Sequence, residues 1–248
     1  MSADPQEMTF WDHLEVFRWS IFRVLIVLVV FIVGCFIAMP YIFDPVVLGP
    51  TRGDFFTYKL LGATEFQADI ININVASQFL THFSFSLWFA LLLAFPYLMY
   101  ELWRFLSPAL YPNEKKGVAG AFLGGSLLFY TGCAVGYCVV FPVIFRFLAG
   151  YRIGELITNQ ISLNSYVSNF LSIIFVMGLV FELPVLAWLL SALGIIKKKQ
   201  LRAWRKYAVV VLLALAAVIT PTGDPFSLMI VFLPLYGLYE LSILIVKT

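Results

Sequence analysis

Residues 176–195 read VMGLVFELPVLAWLLSALGI, nineteen uncharged positions around one acid, Glu182. An apolar run of about 20 residues crosses a bilayer as a helix. A carboxylate left facing lipid at that depth costs about 3 kcal/mol or more, so such groups turn toward a bundle interior or a wet cavity. This stretch therefore predicts a membrane helix that needs neighbours to receive its acid.

Working outward, the composition agrees. Apolar residues make up 62% of the 248 and charged residues 12%, with a mean hydropathy of +0.94. Soluble domains carry about a quarter charged residues. The chain reads as an all-α integral membrane protein with a single membrane domain over residues 1–248. Runs between charges predict six spans, at about 24–43, 82–103, 118–145, 166–195, 207–220 and 226–247, with an external cap over 44–81. The fifth and sixth are read as short: the fourteen residues of the fifth reach about 21 Å, against a hydrocarbon core of about 30 Å. Such mismatch is relieved by thinning the bilayer or by association.

The first 23 residues, MSADPQEMTFWDHLEVFRWSIFR, hold four acids and no basic leader, so the first span is expected to remain in the mature protein. Orientation follows from the basic residues. Twelve of the sixteen Lys and Arg fall on the side of the termini, many in IKKKQLRAWRK, and four (Arg52, Lys59, Arg146, Arg152) on the other. That bias predicts both termini in the cytoplasm, and the basic run also suits lipid headgroups.

Cys35, Cys133 and Cys138 lie within spans and read as small packing residues. Two histidines are too few for a metal cluster, so no metal and no cofactor are expected. There is no H-E-x-x-H, G-x-S-x-G or P-loop, and catalysis is not expected. Nothing in the pattern calls for nucleic acid.

Three constellations could carry function. The first is acids at depth: Glu182, Asp224 in the outer turn ITPTGDPFSL, and Glu240 near the end of the sixth span. Each has a plain reading as well: a helix-packing residue for Glu182, an N-cap for Asp224 before Pro225, an interfacial residue for Glu240. The second is Pro96, Pro142, Pro184 and Pro234, which bend helices and predict a curved, concave wall, opened beside Glu182 by Pro184. The third is the ledge made by FWDHLEVFRWSIFR and YELWRFLSPALYPNEKKG, where Glu15 and Arg18 share a helix face and Glu101 and Glu114 flank aromatic residues. Carboxylates on an apolar, aromatic ledge suit guanidinium groups; ordinary loop charges are the other reading.

LSPALYPNEKK, LLFYTGCAVGYCVVFPVIFRFL, GLVFELPV and ITPTGDPFS, taken together and in this order, resemble TatC, the multispanning core family of the twin-arginine translocase. The resemblance covers nearly the whole chain and implies six spans in a curved, concave bundle. In the family's HLEELR motif, HLEVFR here, Glu15 matches the first acid and Arg18 the arginine, with Val16 in place of the second acid. The resemblance implies that Glu114, with Leu110 and Tyr111 of the same loop motif, meets the twin-arginine motif, and that Glu101 stands where a glutamine is common. It implies that Glu182 and Asp224 meet partner helices, and that Pro50, Pro184 and Pro221 are structural. A glutamine often found shortly after the aspartate is Leu228 here.

The implied function is a receptor and core subunit exporting folded proteins with twin-arginine signal peptides across the bacterial inner membrane, driven by the proton gradient. Its implied partners are TatA-like and TatB-like single-span proteins and membrane lipid, in a hetero-oligomer with several copies of the chain itself. The residues alone leave two other classes open: a proton-coupled small-solute transporter using Glu182 and Asp224, and a membrane scaffold with no transport role.

Overall fold

The computed structural model describes residues 10–60, 62, 66–107, 112–154, 159–220 and 223–246, and statements about the structure concern these. The amphipathic entry and the first span form one helix, α1 (Phe10–Ile42). Its most apolar window, of mean hydropathy 3.0, has none of its residues buried, so α1 shows lipid or another chain most of its surface. It lies along α3 (Ser77–Leu106). The cap between them holds a π turn (Phe43–Val47), a 3-10 turn (Gly49–Thr51), α2 (Phe56–Leu60) and β1 (Ile70–Ile71).

The third long stretch joins α4 (Pro112–Val135), a π turn (Gly136–Val140) and α5 (Phe141–Gly150). The fourth is α6 (Leu163–Val180) followed by α7 (Leu183–Ala192). After α8 (Lys198–Ala203) come α9 (Arg205–Ile219) and α10 (Pro225–Ile245). Among the described residues, five helical stretches are long and apolar enough to cross a membrane. The expected fifth span, α9, has 15 residues, about 22 Å at 1.5 Å per residue.

Three features depart from the sequence reading. The sixth span, read as short, is α10 with 21 residues, long enough to cross a membrane. Residues 166–195 are not one helix but two, broken at Phe181 and Glu182, and α7 stops at Ala192. A small parallel pair, β1 with β2 (Ile161–Ser162), ties the cap to the loop after α5. Two residues are too few for an alternating pattern to register.

The prolines show how bent helices survive in an apolar medium. Proline has no N–H, so the carbonyl four residues earlier loses its helical donor. Pro40 frees the Phe36 carbonyl, and His82 Nε2 lies 2.8 Å from it, with the two rings stacked at 4.0 Å. A carbonyl can only accept, so Nε2 carries the hydrogen. Pro96 frees the Leu92 carbonyl, which accepts from the Tyr130 hydroxyl at 3.1 Å. Pro142 frees the Cys138 carbonyl, which accepts from Thr57 Oγ1. Each of these three donors comes from another part of the chain, so each of these three bends is also a tertiary tie. A buried carbonyl left unmet costs about 1–3 kcal/mol, and lipid offers no replacement.

The cap is fastened the same way. Tyr137 donates to the Val46 carbonyl at 2.9 Å, Tyr166 to that of Val47, and Tyr58 to that of Pro50 at 2.8 Å. Burial pushes the Tyr58 phenol above its ordinary value, which keeps it a donor.

Helices α4 and α6 approach backbone to backbone. A Cβ on Gly132 would lie 2.6 Å from the Met177 carbonyl oxygen, and one on Gly178 would lie 2.6 Å from Cys133 Sγ. Small residues at such crossings let membrane helices pack without a water-driven hydrophobic force. Around this seam lies an aromatic core with Phe95 stacked on Phe129 at 3.6 Å, Phe141 edge to face with Tyr166 and Phe170, and Phe145 edge to face with Tyr166.

Candidate functional site

At the terminal end, the start of α1 meets the end of α3 through Phe17 and Phe105, whose ring centroids are 5.3 Å apart. One and a half turns deeper, Arg23 lays its fork on Glu101: Nε donates to Oε1 and Nη2 to Oε2, both at 2.8 Å. Nη2 also donates to Ser20 Oγ at 2.9 Å, and the Tyr97 hydroxyl donates to Glu101 Oε1 at 3.0 Å. Arg104 Nη1 stands 3.9 Å away. Glu101 is 3% exposed, so this acid is both buried and paired. Bidentate arginine is the strongest neutraliser available to a carboxylate in a dry setting.

The contacts hold Glu15 and Arg18, both exposed, at the end of the bundle that carries the loop between α3 and α4. Arg18 lies 5.8 Å over the Trp19 ring. Glu114 belongs to the first turn of α4, and its side chain lies outside the described residues, as do Leu110, Tyr111 and Pro221 entirely. Of the ledge acids, Glu15 faces outward, whereas Glu101 already holds Arg23. Sequence reasoning used Arg23 only as the edge of a span; its partner is 78 positions away, and no local signal links them.

Glu182 sits at the break between α6 and α7, as the N-cap residue of α7, with Pro184 buried in the first turn. It is 8% exposed. Its carboxyl is turned onto α4, against Gly125, where a Cβ would meet Oε2 at 2.7 Å. Oε1 is buried and has no hydrogen-bond partner. Pro184 lacks an N–H, so the Val180 carbonyl beside the acid has lost its helical donor as well. The mid-membrane break thus concentrates acceptors in an apolar setting, and a donor from outside would satisfy them.

The other acids are engaged. Asp224 caps α10, its Oδ1 accepting from the Ser227 N–H at 2.8 Å. Glu240 accepts from Arg205 at 2.7 Å and from Tyr236 at 3.1 Å, fastening α9 to α10 at the terminal end. Pro50 is buried in the cap beneath Tyr58.

This geometry has a close counterpart among known proteins. Residues 12–234 match the family model Sec-independent protein translocase protein (TatC). The TatC protein of Deinococcus radiodurans is 36% identical over 236 residues, covering 95% of this chain and 84% of its own. That of Carboxydothermus hydrogenoformans is 33% identical, covering 98% and 95%. The TatC protein of Helicobacter pylori strain J99 is 44% identical over 158 residues, 64% of this chain and 63% of its own. The crystal structure of the twin-arginine translocase receptor TatC in DDM aligns with a TM-score of 0.80 at 28% identity, covering 95% of this chain and 100% of that one. Similarity in sequence and in fold over nearly the full length gives one assignment: the chain is a multi-pass membrane protein of the TatC family.

Proposed function

We propose that this chain is the signal-peptide receptor and core subunit of a twin-arginine translocase, and that it works without catalysing a reaction of its own. The observation that carries this reading is the packing of α1 on the end of α3. Phe17 against Phe105 and Arg23 on Glu101 hold the exposed Glu15 at the end where the α3–α4 loop brings Glu114. An exposed carboxylate beside aromatic residues suits the guanidinium groups of such a signal.

In this mechanism Glu114 and Glu15 take the signal's arginines, Leu110 and Tyr111 shape the loop, and Arg18 repels cations that approach off register. Glu101 acts from behind, holding α1 through Arg23; a signal arginine reaches it only by displacing that residue. The apolar part of the signal then lies along the spans. Glu182, and Asp224 at the far end, engage the transmembrane helices of TatA-like and TatB-like partners. Interhelical polar contacts of about 0.5–2 kcal/mol each suit an assembly that must come apart again. The short α9 strains the bilayer where the complex gathers, several copies of the chain form the hetero-oligomer, and the proton gradient drives transport.

The chain belongs in the bacterial inner membrane with both termini in the cytoplasm, on the side favoured by twelve of sixteen basic residues. The test is photo-crosslinking in membranes between a twin-arginine signal peptide and probes at and around position 114. Crosslinks lost with a Lys-Lys signal and in Glu114→Gln support the receptor reading. Equal crosslinking of Arg-Arg and Lys-Lys signals sinks it.

A further inference from the structure

Glu182 is held by an absence on the facing helix. Its carboxyl lies against Gly125, Oε2 nearest, with Oε2, Cδ and Oε1 at 2.7, 3.4 and 3.4 Å from where a Cβ would be. No other side chain fits between them. The seat is sterically tailored but chemically poor: Oε1 has no partner, and the neighbouring Ser126 hydroxyl is engaged with the Phe122 carbonyl of its own helix at 3.2 Å. The carboxyl is therefore shielded from lipid without being satisfied. On either side of it along the broken helix, Leu179 and Leu186 stand 44% and 51% exposed. An apolar surface with a retracted acid in its middle fits a transmembrane helix that carries a hydrogen-bond donor at mid-span.

We propose that Gly125 is the positioning residue of this contact: it seats the Glu182 carboxyl in a retracted, unengaged position, and a partner helix binds by drawing that carboxyl out between Leu179 and Leu186. This rests on the reading of Glu182 as a partner-helix residue. The seat limits affinity, because every contact must first empty it. It also prevents a bare carboxylate from facing lipid between encounters, which is costly.

Adding a Cβ at Gly125 displaces only the far end of a flexible side chain, since the three nearest atoms all belong to the Glu182 carboxyl. Gly125→Ala is thus expected to fold and to hold the acid outward. Gly124→Ala is the matched control, because a Cβ there meets nothing within 4 Å.

The experiment uses the full chain in lipid vesicles with two readouts. The first is labelling of Glu182 by a lipid-soluble carbodiimide, located by mass spectrometry, with no partner present. The proposal predicts labelling about 3- to 20-fold faster in Gly125→Ala than in the parent, the population shift that one interhelical polar contact produces, and no change in Gly124→Ala. Equal labelling of the parent and Gly125→Ala overturns the seat. A Gly125→Ala chain that fails to fold but is rescued by adding Glu182→Ala also overturns it, since the carboxyl then has no outward position.

The second readout is binding of a single-span peptide with one mid-span glutamine, against its leucine twin. Tighter glutamine-specific binding in Gly125→Ala, lost in Gly125→Ala/Glu182→Ala, supports the proposal. Faster labelling without any dependence of binding on Glu182 keeps the seat but rejects the partner contact on which the proposal rests, so the two failures are told apart.

Discussion

Glu101 and Glu182 are both glutamates within apolar stretches, 3% and 8% exposed, yet their surroundings are opposite. Glu101 has Arg23 across both oxygens and Tyr97 on one of them; Glu182 has a glycine under it and an unpartnered Oε1. Burial alone thus does not identify a working residue. What separates the two is satisfaction. A buried acid with a full set of donors ties helices together, and one without them is held in readiness for a donor from elsewhere.

The contrast is broken most directly by removing the partner of the satisfied acid. Arg23→Ala leaves Glu101 buried with Tyr97 and, 3.9 Å off, Arg104, and is expected to give the largest fall in thermal midpoint of the substitutions named here. Most of that fall should return in Arg23→Ala/Glu101→Gln, because the second change removes the stranded charge. Thermal unfolding in detergent reads both; a single variant as stable as the parent would show that the pair is incidental.

Glu182→Gln provides the converse. There is no ion pair to lose, so its stability should remain within about 1 kcal/mol of the parent, as measured in the same unfolding assay. Asp224 lies between the extremes, with a backbone N–H for a partner. Asp224→Ala should cost about 0.5–2 kcal/mol as a lost N-cap, and Asp224→Asn should recover most of it. A similarly small effect is expected at Tyr97: Tyr97→Phe removes one of three donors to Glu101 and should cost about 1 kcal/mol, and more than that when Arg23 is already absent, because Tyr97 is then the remaining hydrogen-bond donor.

The all-helical membrane fold and the family were legible in the sequence, because apolar runs of spanning length and ordered motifs are local properties. The plain reading of Asp224 as a cap was legible as well, since Asp-Pro-Phe is a local signal and the Ser227 N–H does bond to it. The roles of Glu101 and Glu182 were not. Arg23 and Glu101 are 78 positions apart, and Gly125 is one glycine among 16. Nothing in the spacing shows which acid meets an arginine and which meets a bare backbone. The prolines predicted bends but not their remedies, for His82, Tyr130 and Thr57 reach the freed carbonyls only in the folded bundle.

The central claim is that the unsatisfied acid serves transport and the satisfied one serves the fold. It is tested most directly by export of a folded reporter bearing a twin-arginine signal, in cells whose own TatC protein is replaced by this chain carrying Glu182→Gln at parental abundance. The account predicts that the variant accumulates and folds normally, binds the signal, and fails to export. Export at the parental rate from that fully folded variant would contradict it.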